Sequence, residues 1–105
     1  MELTQQQIEF FDTFGYMAFP GLFSNDIDKI TDSFEQVWAE NGGGHFGKEH
    51  DHKQRSVLIQ FIDQNEYLSS LIDDSRIDSV ITSLLGEDYN YSGSDGNYYV
   101  GDTQW

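Results

Sequence analysis

Three histidines fall within one Gly-rich stretch of the sequence, and imidazoles are common metal ligands. They are His45, His50 and His52, all within residues 41–56. The run His50-Asp51-His52 offers two imidazoles and a carboxylate, which are donors that divalent metals accept. The same stretch also suits a solvated polar loop, because ordering a flexible Gly-rich segment opposes binding. His50 and His52 are therefore candidate metal ligands, with a solvated loop as the alternative.

The same loop holds the basic residues that could bind an acid. Lys48, Lys53 and Arg55 are three of the chain's 5 Lys and Arg residues. Arginine carries a planar fork of N–H donors that matches a carboxylate. We expect Lys53 and Arg55 either to clamp a carboxylate or to stand as exposed basic residues that balance nearby acids.

The overall charge disfavours several classes of partner. The 105 residues carry 5 Lys and Arg against 19 Asp and Glu, a net charge of −14 with neutral His. Such a chain repels phosphate backbones and anionic membrane surfaces, so we expect no nucleic-acid and no membrane partner. The chain has no Cys, hence no disulfide framework, which favours a cytoplasmic location. The acids also allow a DNA-mimicking inhibitor, but they are scattered rather than in ordered rows.

Local signals predict the helices that position these residues. A capping box at Thr4 to Gln7 begins a helix that Gly15 ends, and an apolar stripe follows a cap at Ser24 or Asn25. A short third helix opens at Asp63 or Asn65, and a second capping box at Ser75 to Asp78 begins a fourth helix that Gly86 closes.

Three apolar or aromatic runs are typical of strands. Residues 16–19 precede a Pro-Gly turn and predict a strand, and residues 57–62 suit a buried strand or the first turn of a helix. Residues 89–100 alternate aromatic and turn residues, which predicts a hairpin. We therefore predict one domain or partial domain over 1–105, with a helical region 1–86 and a C-terminal hairpin 89–100. The fold class is α+β, with three to four helices on a small antiparallel sheet.

The tail of the chain adds a family resemblance. Residues 91–105, YSGSDGNYYVGDTQW, resemble the segment that precedes the iron-binding motif of phytanoyl-CoA dioxygenase-like proteins. The start is similar too, with Leu3-Thr4, a helix, residues 15–23 (GYMAFPGLF) and a second helix. Members of this family are Fe(II)- and 2-oxoglutarate-dependent oxygenases. The resemblance implies the N-terminal part of a double-stranded β-helix oxygenase.

The resemblance also implies limits on catalysis. In that family the Trp is followed at once by His-x-Asp, which with a distant His holds iron. This sequence ends at Trp105, before the expected motif. The 105-residue chain alone is therefore expected to be inactive and to carry no cofactor. Fe(II) and 2-oxoglutarate are implied if the chain is part of a longer enzyme, so whether it is an enzyme stays open.

A candidate 2-oxoglutarate pocket follows from the same resemblance. Family members can use a basic residue of the loop region against the 2-oxoglutarate carboxylate, and Arg55 or Lys53 lies at about that place. The aromatic residues Tyr98, Tyr99 and Trp105 would then lie near the pocket wall. The candidate cofactor-binding residues are Arg55, Lys53, Tyr98 and Trp105.

Three functions stay open at this point. The chain is a truncated, non-catalytic member of the family that binds a partner protein or a small acid, or the N-terminal fragment of a complete hydroxylase, or an acidic inhibitor. Half of a β-helix leaves sheet edges that recruit other strands. We therefore expect a homo-oligomer or a protein partner that pairs at an exposed sheet edge.

Overall fold

The computed structural model describes residues 2–43 and 55–99. This part of the chain contains four α-helices and a two-stranded antiparallel sheet, which confirms the α+β class with helices packed on a small sheet. The elements are α1 (Gln5–Phe14), α2 (Ile27–Glu40), β1 (Ser56–Ile59), α3 (Glu66–Ser70), α4 (Ser75–Leu85) and β2 (Asp95–Tyr98). Two 3₁₀ turns, Ile62–Gln64 and Leu71–Asp73, flank α3. None of the helices in these two ranges has the length and apolar character that a bilayer span requires.

The predicted ends of α1 are confirmed. The Thr4 hydroxyl accepts a hydrogen bond from the backbone N–H of Gln7 at 3.2 Å, and the Gln7 side chain accepts one from the Thr4 backbone at 2.9 Å. Gly15 ends the helix with a left-handed φ of 76°, and its N–H donates to the Phe11 carbonyl. Both caps are local interactions, so local spacing is enough to predict them.

The predicted starts of α2 and α4 are each displaced by one or two residues. α2 is preceded by Asp26 rather than by Ser24 or Asn25, which lie in a series of turns. α4 is capped by Asp74, whose carboxylate accepts from the backbone N–H of Arg76 at 2.9 Å, so Ser75 is the first helical residue. Asp74 is held there because it also binds the Arg76 guanidinium.

Of the two predicted openings of the short third helix, the one at Asn65 is confirmed. Its side chain accepts from the Leu68 backbone N–H at 2.8 Å, whereas Asp63 lies in a 3₁₀ turn.

The strands differ from two of the three predictions. Residues 16–19 form no strand and lead into successive turns, in which Leu22 N–H donates to Phe19 and Ser24 N–H donates to Gly21. Within residues 57–62 the strand alternative is correct, because β1 runs over Ser56–Ile59. The described part of 89–100 forms no hairpin, since β2 pairs with β1 and residues 89–94 are not a strand.

The core lies between α2, the sheet and α3. Five buried apolar residues form it, namely Val37, Trp38, Leu58, Phe61 and Leu68. The Phe61 ring lies 4.8 Å from the Phe34 ring and 6.0 Å from that of Trp38, measured between centroids. These aromatic contacts attach the sheet to α2, so the helices cover one face of the strand pair.

Candidate functional site

The structure describes only part of the predicted site. Arg55 and Tyr98 lie within the described residues. The two other candidate cofactor-binding residues, Lys53 and Trp105, and the candidate metal ligands, His50 and His52, lie outside them. His45 lies outside them as well. The site is therefore built from the strand pair that carries Arg55 and Tyr98.

Arg55 lies beside β2 at the start of β1. The register pairs Ser56 with Tyr98, which places Arg55 opposite Tyr99. The Arg55 Nη1 donates to the Asn97 Oδ1 at 3.3 Å, and its guanidinium carbon lies 6.0 Å from the centre of the Tyr99 ring. An arginine and an aromatic ring at this distance attract each other. Strand pairing thus joins a guanidinium, an amide and a phenol from opposite ends of the sequence.

Tyr98 does not share this face. Successive strand side chains point to opposite faces of a sheet, and the Tyr98 ring meets Trp38 of α2 edge-on at 5.9 Å. Tyr98 therefore helps to attach β2 to the helices, while Arg55 and Tyr99 lie on the other face. The structure brings Arg55 together with Tyr99 and separates it from Tyr98.

The sequence prediction missed Asn97 because the predicted hairpin pairs the wrong residues. The alternation of residues 97–99 already puts Asn97 and Tyr99 on one face. Only the register with β1 places that face next to Arg55, and a register between strands so far apart is a tertiary property.

The face that carries Arg55 also has apolar side chains that the helices do not cover. Ile59, two residues after Val57 and on the same face, is 76% exposed. Asp95 lies on this face as well, opposite Ile59, and its carboxylate accepts a hydrogen bond from the Asn97 amide at 3.3 Å. A guanidinium beside an amide, a phenol ring and one exposed isoleucine suits a small carboxylate with an apolar body. Within the described ranges, no three His, Cys, Asp or Glu side chains lie close enough together to hold a metal ion.

A second cluster of charged residues has a structural role. Arg76 of α4 donates to Asp26 at 2.6 Å and to Asp74 at 2.7 Å, and it lies over the Phe23 ring at 4.4 Å. Hydrogen bonds from Arg76 lower the pKa of Asp74 to about 2. The hydrogen bonds that Arg76 donates to Asp74 and Asp26 in turn raise the pKa of Arg76. This cluster joins α4 to the turns before α2, and sequence reasoning assigned Arg76 no role.

Residues 89–94, which we call the strap, are held by side-chain hydrogen bonds at both tyrosines. The Tyr89 hydroxyl donates to Asp78 at 2.5 Å, and that of Tyr91 donates to Asp63 at 2.9 Å. The hydrogen bond to Asp78 is the main cause that raises the pKa of Tyr89. For Tyr91, a hydrogen bond with Ser94 lowers the pKa, but desolvation and the bond to Asp63 raise it above its ordinary value.

Comparisons of the chain with protein-family models, with curated proteins and with solved structures found no match.

Proposed function

We propose that this chain is the N-terminal region of a phytanoyl-CoA dioxygenase-like fold and binds a small acid on the sheet face that carries Arg55. The resemblance of residues 91–105 motivates the family and points to 2-oxoglutarate as the acid. The observation that carries the proposal is the Arg55 side chain, which lies beside Asn97 and Tyr99 on that face. A cytoplasmic location, which the composition favours, belongs to the same proposal.

The position of Arg55 suits recognition of a carboxylate. It directly precedes the paired strand β1, and its guanidinium is oriented by the Asn97 amide. An oriented guanidinium loses less side-chain freedom on binding than an unconstrained one, which favours affinity. In a chain with a net charge of −14, an anion is repelled by most of the surface, so binding depends on this local positive charge.

Turnover is not expected of the 105-residue polypeptide. In the family that it resembles, Fe(II) is held by a His-x-Asp motif that directly follows the Trp and supplies the oxygen chemistry. We therefore expect the 105-residue chain to bind 2-oxoglutarate without consuming it.

Calorimetric titration with 2-oxoglutarate tests this proposal. We expect Arg55→Ala to weaken binding by roughly two- to fivefold, the loss expected when one partly exposed carboxylate–guanidinium pair is removed. Arg55→Lys keeps the charge but not the planar fork, so it should bind with intermediate affinity. Lys29→Ala is the matched control, since it removes a positive charge of α2 that lies over the Tyr67 ring of α3, 4.3 Å from its centre. Equal losses for Arg55→Ala and Lys29→Ala would contradict the proposal.

Binding of a protein partner, here a second copy of the chain, is a second candidate function, and exposed aromatic residues on α1 and just after it favour it. The Phe10 ring lies 4.8 Å from the Phe14 ring and 5.5 Å from the Tyr16 ring. Phe14 and Tyr16 are each 61% exposed, so this cluster presents a contiguous aromatic surface. We expect a dimer in sedimentation velocity at raised salt, and a monomer for Phe14→Glu. A monomeric wild-type chain at every concentration would contradict this candidate.

A further inference from the structure

An apolar cavity lies between the helices and the strap, on a different part of the molecule from Arg55. Its volume is about 550 Å³, within the range of cavities that hold drug-sized molecules. Seven Leu and Ile side chains from residues 62–85 line one side, and residues 89–94 line the other. None of the described residues that line the cavity is basic.

The strap is built so that the cavity stays open beneath it. The tyrosine hydroxyls hold it to Asp78 and Asp63. At its far end the Ser94 hydroxyl accepts from the backbone N–H groups of Phe61 at 3.2 Å and Ile62 at 3.0 Å. These bonds join three points of the strap to two parts of the helical region, α4 and residues 61–63. The strap therefore does not depend on filling the cavity for its position.

The polar groups at the cavity are selective for charge. Tyr89 and Tyr91 line the cavity, and each donates its hydroxyl proton to a carboxylate, Asp78 or Asp63, that lies behind the lining residues. Aromatic faces attract organic cations, and a neighbouring carboxylate adds to that attraction. An anionic or neutral head group gains nothing from the same arrangement.

We propose that this cavity binds an organic cation with an apolar tail, the tail against the Leu and Ile side chains and the ammonium group beside Tyr89, Tyr91 and their carboxylates. The chemical class is an alkyl- or arylammonium compound, protonated or quaternary. The site is independent of the Arg55 face, so either proposal can fail without the other.

Three probes with the same octyl chain separate charge from hydrophobicity: octyltrimethylammonium, octanol and octyl sulfate. Titrated into the 105-residue chain below their micelle concentrations, they should bind in that order of decreasing affinity. Equal affinity of the cation and octanol would overturn the cationic assignment. Binding of none of the three, or tightest binding of octyl sulfate, would overturn the site.

Charge-matched variants separate this site from general attraction to an acidic protein. Asp63→Asn with Asp78→Asn keeps both acceptors for the tyrosine hydroxyls but removes two charges at the strap. The control is Asp28→Asn with Asp32→Asn, which removes two charges from exposed positions of α2, whereas Asp63 and Asp78 are the carboxylates that accept from the strap tyrosines. We expect the first variant to weaken octyltrimethylammonium binding roughly three- to tenfold and the second by less than about twofold. Equal effects would overturn the proposal.

A cavity-filling variant gives a second test that does not touch the carboxylates. Ile72→Phe enlarges a half-buried lining residue, and a thermal melt shows that the variant is folded. Octyltrimethylammonium affinity should fall at least threefold while 2-oxoglutarate binding is unchanged. If a folded Ile72→Phe variant binds the cation as wild type does, the cation does not occupy the cavity and the proposal is wrong.

Discussion

Gly96 connects the strand pair to the core at the scale of a single residue. It lies in β2 opposite Leu58 and is buried, and a Cβ atom at this position would overlap the Phe61 ring. The hairpin predicted over residues 89–100 does not include this contact. In the structure its missing side chain instead makes room for an aromatic ring, a common use of glycine within a strand.

Gly96→Ala should therefore destabilise the fold. We expect it to lower the free energy of unfolding by about 1–3 kcal/mol, the usual cost of overpacking a core. Gly93→Ala is the control, because a Cβ there meets no atom within 4 Å and its φ is not in the left-handed region. Urea unfolding followed by Trp fluorescence gives both values. Equal urea midpoints for Gly96→Ala and Gly93→Ala would show that a Cβ atom at position 96 does not clash with the Phe61 ring.

Asp74 predicts a pH dependence of stability. Arg76 lowers the pKa of Asp74 to about 2 from an ordinary value of 3.8. A carboxyl whose pKa is lower in the folded state stabilises the fold above its unfolded pKa, and this stabilisation is lost as the pH falls through the folded value. Asp74→Asn keeps a good N-cap acceptor but removes the charge.

Thermal melts of wild type and Asp74→Asn across a pH series test this dependence. The wild type should melt higher at neutral pH, and the difference should shrink below about pH 4 and vanish near pH 2. Asp73→Asn removes the neighbouring charge, which makes no described ion pair with Arg76, and serves as the control. A difference that is independent of pH would mean that the Asp74–Arg76 pair contributes nothing through its charge.

At the scale of the elements, the helix caps are the features that the sequence predicts best. The contribution of each cap to the free energy of unfolding depends on how much of its helix is buried. Asn65 caps α3, which carries the core residue Leu68. Thr4 caps α1, which has no buried residue. We expect Asn65→Ala to lower the free energy of unfolding by about 1 kcal/mol, and Thr4→Ala to lower it by less. Asn65→Asp retains the acceptor and should stay near wild type. Equal costs in urea unfolding would mean that α1 unfolds together with the core.

Local signals predict the helices well but not the strand pairing. Thr4, Gly15 and Asn65 make their contacts within a few residues, so spacing alone identifies them. Asp74 rather than Ser75 caps α4, because the Arg76 guanidinium also binds the Asp74 carboxylate. Arg76 binds Asp26 as well, and that residue is distant in sequence. β2 pairs with β1 and not, as the predicted hairpin requires, with residues 89–92. Pairing between strands so distant in sequence leaves no periodic pattern in the sequence. The same register places Asn97 and Tyr99 next to Arg55, so most of the candidate site could not be predicted from the sequence.

The described part of the molecule is more open than a domain of similar length usually is. The Cα radius of gyration is 16.3 Å, against roughly 13 Å for a compact domain of about this size. α1 buries none of its residues, and Ile59 and Leu85 are largely exposed. A small core with apolar surface beside it suits a region that packs against further polypeptide, as the proposed family membership requires.

Net charge should limit the stability of the isolated chain. The net charge is −14 over 105 residues, so repulsion between the acidic side chains opposes the folded state. Added salt screens this repulsion. We expect the melting temperature to rise by several degrees from low to high NaCl. A variant that carries Asp28→Asn, Asp32→Asn and Glu35→Gln should show a smaller rise. An equal rise in melting temperature for wild type and the triple variant would mean that salt acts by strengthening apolar burial and not by screening charge.

The most direct test of the proposed function is to locate bound 2-oxoglutarate by NMR. The proposal predicts that adding 2-oxoglutarate shifts the Arg55 side-chain N–H signal, the Asn97 side-chain amide and the Tyr99 ring, while the Arg76 side-chain signal stays in place. Succinate should shift the same signals, and a neutral diester of 2-oxoglutarate should shift none. Shifts confined to residues outside this face, or no shift at saturating acid, would contradict the assignment of Arg55 as the acid-binding residue.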